Sequence, residues 1–186
     1  LKVLDIFARE ETRVLRAWGE VRINALVSMF KKIRFHTHEN LGTGPVNLPE
    51  TEMHTTAFWI AFPPASTGGL APAALETGLL GLANLIPQIA SLFIMGDPRD
   101  LRAVSQVKAP FTGRPTLYLY DNYPGGVGYS ELLYRIYREI FKAAREAIIN
   151  CRCSMGCPSC VGAAGESGAD GKSYALQLLE VVLDEK

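Results

Sequence analysis

Four cysteines stand within ten residues, in CRCSMGCPSC at 151–160, and they are all the cysteines of the chain. Their spacing is C-x-C-x3-C-x2-C: Cys151, Cys153, Cys157 and Cys160. Four thiolates can surround one zinc ion tetrahedrally at about 2.3 Å each. Thiolate sulfur suits a borderline-soft ion that undergoes no redox change. Gly156 and Pro158 supply a tight turn that lets Cys157 and Cys160 face one ion. Four protein ligands leave no open position, so the expected role is structural rather than catalytic. Arg152 is the candidate to offset the negative charge of a four-thiolate zinc centre. The competing readings are an iron–sulfur cluster, disulfides and four unrelated thiols. Cys151 and Cys153 are too close along the chain for a relaxed mutual bridge.

A second stretch with chemical letters is Gly171-Lys172-Ser173. A phosphate loop needs G-x4-G-K-[ST] after a buried strand. Five residues before Gly171 stands Glu166; the available glycines, Gly165 and Gly168, miss the register. Glu166 and Asp170 would also repel a polyphosphate. The segment reads as a polar linker into a helix, with Ser173 as N-cap.

The third is DNYPGGVG at 121–128, a glycine-rich loop between a strand and a helix. Its N–H groups could hold an anion at the helix N-terminus, but the G-x-G-x-x-G spacing is absent. The simpler reading is a structural loop built by Pro124, Gly125, Gly126 and Gly128, with Asp121 capping or orienting it. The fourth is KKIR at 31–34: Lys31, Lys32 and Arg34, beside Phe30 and Phe35, form the best local patch for nucleic-acid phosphates. His36 and His38 would share a strand face, but only His54 or Glu39 is at hand to complete a second metal site.

The elements that must position these residues divide the chain in two. Residues 1–62 read as a β-rich subdomain, a twisted antiparallel sheet. VRINALV at 21–27 puts Val21, Ile23 and Ala25 on one face. FKKIRFHTH at 30–38 alternates Ile33 and Phe35 against Lys32, Arg34, His36 and His38. EMHTTAFWIAF at 52–62 is strand-like by composition. Residues 63–186 read as an α/β zinc-binding subdomain. It holds a central apolar helical segment at 72–95, strands near 101–107 and 116–121, a long helix, the cysteine loop and a last helix at 173–185. The long helix should turn Tyr129, Leu132, Leu133, Ile136, Ile140, Ala144 and Ile148 to one face. The fold class expected is therefore α+β.

Residues 77–96 carry no charge over the length of a membrane span. Thr77, Asn84, Gln88 and Ser91 interrupt them and Pro87 sits in the middle. A buried core helix, or a helix pair broken near Pro87, is expected rather than a span. Nineteen Lys+Arg offset nineteen Asp+Glu among 186 residues, which excludes a wholly basic surface and leaves only a local patch for nucleic acid. The N-terminal residues lack a signal-peptide core and begin without Met, as a piece of a longer chain would. The cytoplasm is the expected compartment, where cysteines more often bind metal than pair. There is no G-x-S-x-G, no H-E-x-x-H and no Asp-Glu-Ala-His box, so no enzyme is expected in this chain alone.

The ordered series GEVRINALVSMFKKIRFHTHENLG, LPETEMHTTAFWI, GDPRDL, LYLYDNYPGGVGYSELLY and CRCSMGCPSC resembles the C-terminal zinc-binding region of superfamily-two DEAD/DEAH-box DNA helicases of the mitomycin repair factor A type. The resemblance covers nearly the whole chain and rests most on the PGGVG loop and the GCPSC core. It implies ATP-dependent 3′–5′ DNA unwinding in DNA repair by the parent protein. ATP and Mg2+ would be handled by motor domains outside this chain. It implies one structural Zn2+ on Cys151, Cys153, Cys157 and Cys160. It implies contact with those motor domains and, through the parent, with DNA, in the cytoplasm and at the nucleoid in a bacterium. The alternative is a zinc-stabilised protein-interaction scaffold, for example in a phage-defence complex, since related modules occur there.

Overall fold

A computed structural model of the chain describes residues 1–37, 39–67, 69–163 and 170–184. Among these, seven strands and three α-helices form in the order β1 (Lys2–Glu11), β2 (Leu15–Ala25), β3 (Met29–Ile33), β4 (Asn40–Pro45), β5 (Thr51–Ala61), α1 (Pro72–Ile94), β6 (Leu101–Gln106), β7 (Thr116–Asp121), α2 (Tyr129–Asn150) and α3 (Gly171–Leu183). The fold is α+β. Five strands make one antiparallel sheet in the order β1-β2-β5-β7-β6. This sheet crosses residue 62: β5, from the first expected segment, pairs with β7 from the second, Phe58 opposite Leu119.

Alternation along the strands explains the two-sided core. Phe58 and Ile60 of β5 and Phe62 just after it, with Leu117 and Leu119 of β7, face the helices and join the main core. Ala57, Trp59 and Ala61, with Tyr118, point to the opposite face. There they pack with Leu15, Ala17, Val21, Ile23 and Ala109. Both faces of β5 are apolar, as a central strand requires. Val21 and Ile23 are buried as the sequence predicts, whereas Ala25 is exposed at the end of β2.

α1 is long and apolar enough, by length and composition, to cross a membrane. Of the two expected forms, the unbroken core helix is the one present, with Pro87 inside it. Its Leu75, Leu79, Leu82, Leu85 and Ile86 lie in the main core with α2, α3 and the sheet. α1 meets α3 at small residues. A Cβ on Gly78 would stand 3.0 Å from the Tyr174 carbonyl carbon. One on Gly81 would stand 3.1 Å from Val161 Cβ.

α2 buries Leu133, Ile140, Ala144 and Ile148 as expected, but also Tyr137 and Phe141, while Leu132 is exposed. The apolar stripe is thus rotated toward the aromatic positions, which fill the space beside Phe58.

The segment from 30 to 38 is not a half-buried strand of the main sheet. β3 ends at Ile33, a turn follows, and β3 pairs only with β4 in a separate two-stranded sheet. Ile33 and Phe35, which the alternation sets on one face, are 52% and 87% exposed. Alternation reports which residues share a face, and here no second layer covers that face.

Candidate metal centre

α2 delivers the first cysteine. The helix ends at Asn150, and Cys151 is its C-cap in an extended conformation, its N–H donating to the Ile148 carbonyl at 3.3 Å. Gly156, at φ 132°, turns the chain into Cys157, a conformation that glycine adopts at no steric cost. The Cys157 N–H then donates to Cys160 Sγ at 3.3 Å, and the Cys160 and Gly162 N–H groups donate to the Cys157 carbonyl at 2.9 and 3.1 Å. This knuckle points two sulfurs at one place.

The four Sγ atoms lie within 4.8 Å of one another. Cys151 to Cys153 is 3.4 Å, Cys151 to Cys157 3.6 Å, Cys153 to Cys160 3.5 Å and Cys157 to Cys160 3.5 Å. A tetrahedral zinc ion with sulfurs at about 2.3 Å places them ~3.8 Å apart, so the donor set fits such an ion with little adjustment. A disulfide needs about 2.05 Å between sulfurs, and all four thiols are free. In a four-iron cluster each cysteine binds its own iron, which calls for a wider cage than this one. Among the described residues this is the one such gathering of metal-ligating side chains.

The thiols depend on each other. The Cys153 backbone N–H, then the Cys153 and Cys157 side chains, bring the Cys151 thiol down to about 7. The hydrogen bond to Cys151, with burial added, pushes Cys153 up to about 12, and the bond to Cys160 raises Cys157. The Cys151 thiol is thus the easiest to ionise, while Cys153 and Cys157 hold their protons more tightly. A divalent cation at the centre removes that penalty, and its binding releases protons.

Two helices hold the loop from outside. The Lys172 ammonium, in the first turn of α3, donates to the carbonyls of Cys151 and Cys153 at 2.7 and 2.8 Å. Asn84 Nδ2, from α1, donates to the Cys160 carbonyl at 3.0 Å. Spacing gave no sign of either role, since an outer partner of a metal loop has no sequence signature. Arg152, the cation expected there, is exposed. Ser173 is not the N-cap of the last helix: α3 starts two residues earlier, at Gly171, with Asp170 before it. Gly165, Glu166 and Gly168 lie outside the described residues.

The glycine-rich loop has its anion built in. The carboxylate of Asp121, fully buried, accepts from the N–H groups of Val127 at 2.8 Å, Tyr129 at 3.2 Å and Ser130 at 3.1 Å, and from Ser130 Oγ at 2.7 Å. The donors at the start of α2 are therefore engaged from within. Gly125 donates to the His54 carbonyl at 2.8 Å and so ties the loop to β5. Gly126, at φ 77°, lies so close to Thr56 that a Cβ would meet its Oγ1 at 2.4 Å. Gly128, at φ 90°, is the N-cap of α2, and Pro124 opens the turn.

Lys31, Lys32 and Arg34 lie on the exposed β3–β4 arm and at its end. Lys32 Nζ stands 5.8 Å from the centre of the Phe30 ring, and Arg34 pairs with Glu39 at 3.1 Å. Leu26, Val27, Met29 and Leu41 are exposed on the same arm. His54 bonds Glu52 at 3.1 Å and, among the described residues, joins no metal-ligating cluster; His38 lies outside the described residues.

Residues 82–161 match the family model described as the MrfA Zn-binding domain, a span that holds all four cysteines, Asn84 and the Asp121 loop. Over 181 residues the chain is 44% identical to a Bacillus subtilis (strain 168) protein described as the uncharacterized ATP-dependent helicase YprA. That match takes in 97% of this chain and 24% of the relative. A protein of Methanocaldococcus jannaschii, MJ1572.1, is 30% identical over 81 residues, 71% of its own length. The crystal structure of the DUF1998 helicase MrfA bound to DNA superimposes with a TM-score of 0.79 at 43% identity, across 97% of this chain and 24% of that one. Residues 82–161 are the part of the chain that matches the MrfA zinc-binding domain family. The chain spans about a quarter of the length of the helicases that it matches.

Proposed function

We propose that this chain is the zinc-stabilised accessory domain of an ATP-dependent 3′–5′ DNA helicase working in DNA repair. Cys151, Cys153, Cys157 and Cys160 hold one structural Zn2+ that fastens the end of α2 to the start of α3. ATP and Mg2+ belong to motor domains outside these residues, and the domain braces those motors and the path of the DNA in the cytoplasm. The observation that carries the reading is the identity to helicases of 43–44% running through 97% of the chain, joined to a sulfur cage of zinc dimensions. The test is DNA-dependent ATP hydrolysis and strand displacement by the protein encoded by the full reading frame. Absence of both overturns the helicase assignment.

Within that reading the β3–β4 arm meets nucleic acid through Lys31, Lys32 and Arg34. Replacing all three by Ala lowers DNA affinity in a gel shift and flattens the dependence of log affinity on log salt by about 3, one for each phosphate no longer neutralised. An unchanged salt slope removes the patch. The exposed apolar residues of the same arm favour a second reading, in which it docks on protein as part of a scaffold. Affinity for DNA that survives the triple substitution, with loss of motor-domain binding in an arm deletion, supports that alternative.

A further inference from the structure

We propose that Lys172 is a positioning residue of the metal site: from the first turn of α3 it holds the Cys151 and Cys153 carbonyls and sets a positive charge against the four-thiolate centre. This inference rests on the zinc reading of the cysteines.

The residues from 151 to 153 have no regular structure of their own. Once α2 has ended, the Lys172 ammonium is what spans both carbonyls of the C-x-C segment, at 2.7 and 2.8 Å. The carbonyl between the two belongs to exposed Arg152, which leaves both ligand residues held from the same side. Asn84 fixes the opposite limb at the Cys160 carbonyl. One zinc with four thiolates carries two net negative charges. An ammonium bonded to the backbone of two ligand residues would lower the energy of that centre. Lys172 therefore links two events: α3 cannot leave without loosening two ligands, and the ligands cannot spread without freeing α3.

The test uses the 186-residue chain loaded with zinc, with three variants: K172M, K172Q and K172R. The wild-type chain first gives the zinc content on release to a chelating dye. A value near zero there ends the zinc reading itself, and is seen without any variant. With about one zinc per chain in the wild type, K172M releases the metal roughly 10–100-fold faster, the range found for outer partners of metal ligands. K172R, which keeps charge and donors, stays nearer the wild type. Circular dichroism of each zinc-loaded variant checks that the fold is intact. If K172M does not fold, K172Q is read in its place. Cobalt substituted for zinc supplies the second readout: loss of the ammonium makes the thiolates more electron-rich and moves their charge-transfer bands to longer wavelength. Release rates within twofold of wild type in the uncharged variant, or an unmoved cobalt spectrum, overturn the proposal.

Discussion

At the scale of single residues, two kinds of side chain concentrate the chemistry of the chain. The first is any one of the four thiols. Cys157→Ser removes one corner of the cage and should drop the zinc content from about one to near zero, with a large fall in thermal stability, because binding energy in such sites is folding energy. Metal analysis and a melting curve of the same sample check this. The second is Asp121, whose carboxylate serves four donors away from solvent. Asp121→Ala strands the Val127, Tyr129 and Ser130 N–H groups and should cost about 3 kcal/mol in denaturant unfolding. Asp121→Asn keeps one acceptor oxygen and should cost less. The cysteine set was legible because its chemistry is written in spacing alone. The inward use of Asp121 was half legible: its place at a strand end suggested a cap, while the glycines around it suggested a foreign anion. Lys172 was legible only as a letter of a phosphate motif, since the carbonyls it serves lie about twenty residues back along the chain and reach it only through the fold.

At the scale of elements, the close approach of α1 and α3 is the most sensitive feature. Gly78 has no room for a larger side chain against Tyr174 and Leu178. Gly78→Val should destabilise the chain by about 2 kcal/mol through overpacking, read from the shift of the urea midpoint with an unchanged slope. The same helix shows why its interior proline did not break it. Pro87 is buried among core residues, and packing on the sheet and two helices outweighs one missing backbone bond. Periodicity finds α2 and the second half of β2 because each has a buried face, whereas α1 and β5 show through their composition. It misread residues 30–38, where alternation is present and burial is not.

At the scale of the whole molecule, the chain is a compact sheet-and-helix body with one arm attached. The arm grows from the β2–β5 hairpin: Ala25 pairs with Thr51 at its base, and the intervening strands pair only with each other. Two-stranded hairpins are marginal by themselves, so this one adds little to the body that bears it. Replacing residues 26–48 by a short turn should lower the melting temperature by no more than about 4 °C, near 1 kcal/mol for a chain of this size. Zinc content should be unchanged and DNA affinity should fall as in the triple substitution. A fall of tens of degrees would make the arm part of the core. The separation of arm from body could not be read from composition, because both are rich in apolar residues.

The outer strand β1 has a consequence for how such chains behave in company. Its pairing with β2 slips twice, between Val3 and Asp5 and between Ile6 and Ala8, and it carries Lys2, Asp5, Arg9, Glu10 and Glu11. An even, neutral strand on that flank would be a template on which a second copy could zip. The irregular, charged rail denies that template. Two crowded chains cannot lengthen each other's sheets along it, so growth into fibrils is checked at that flank.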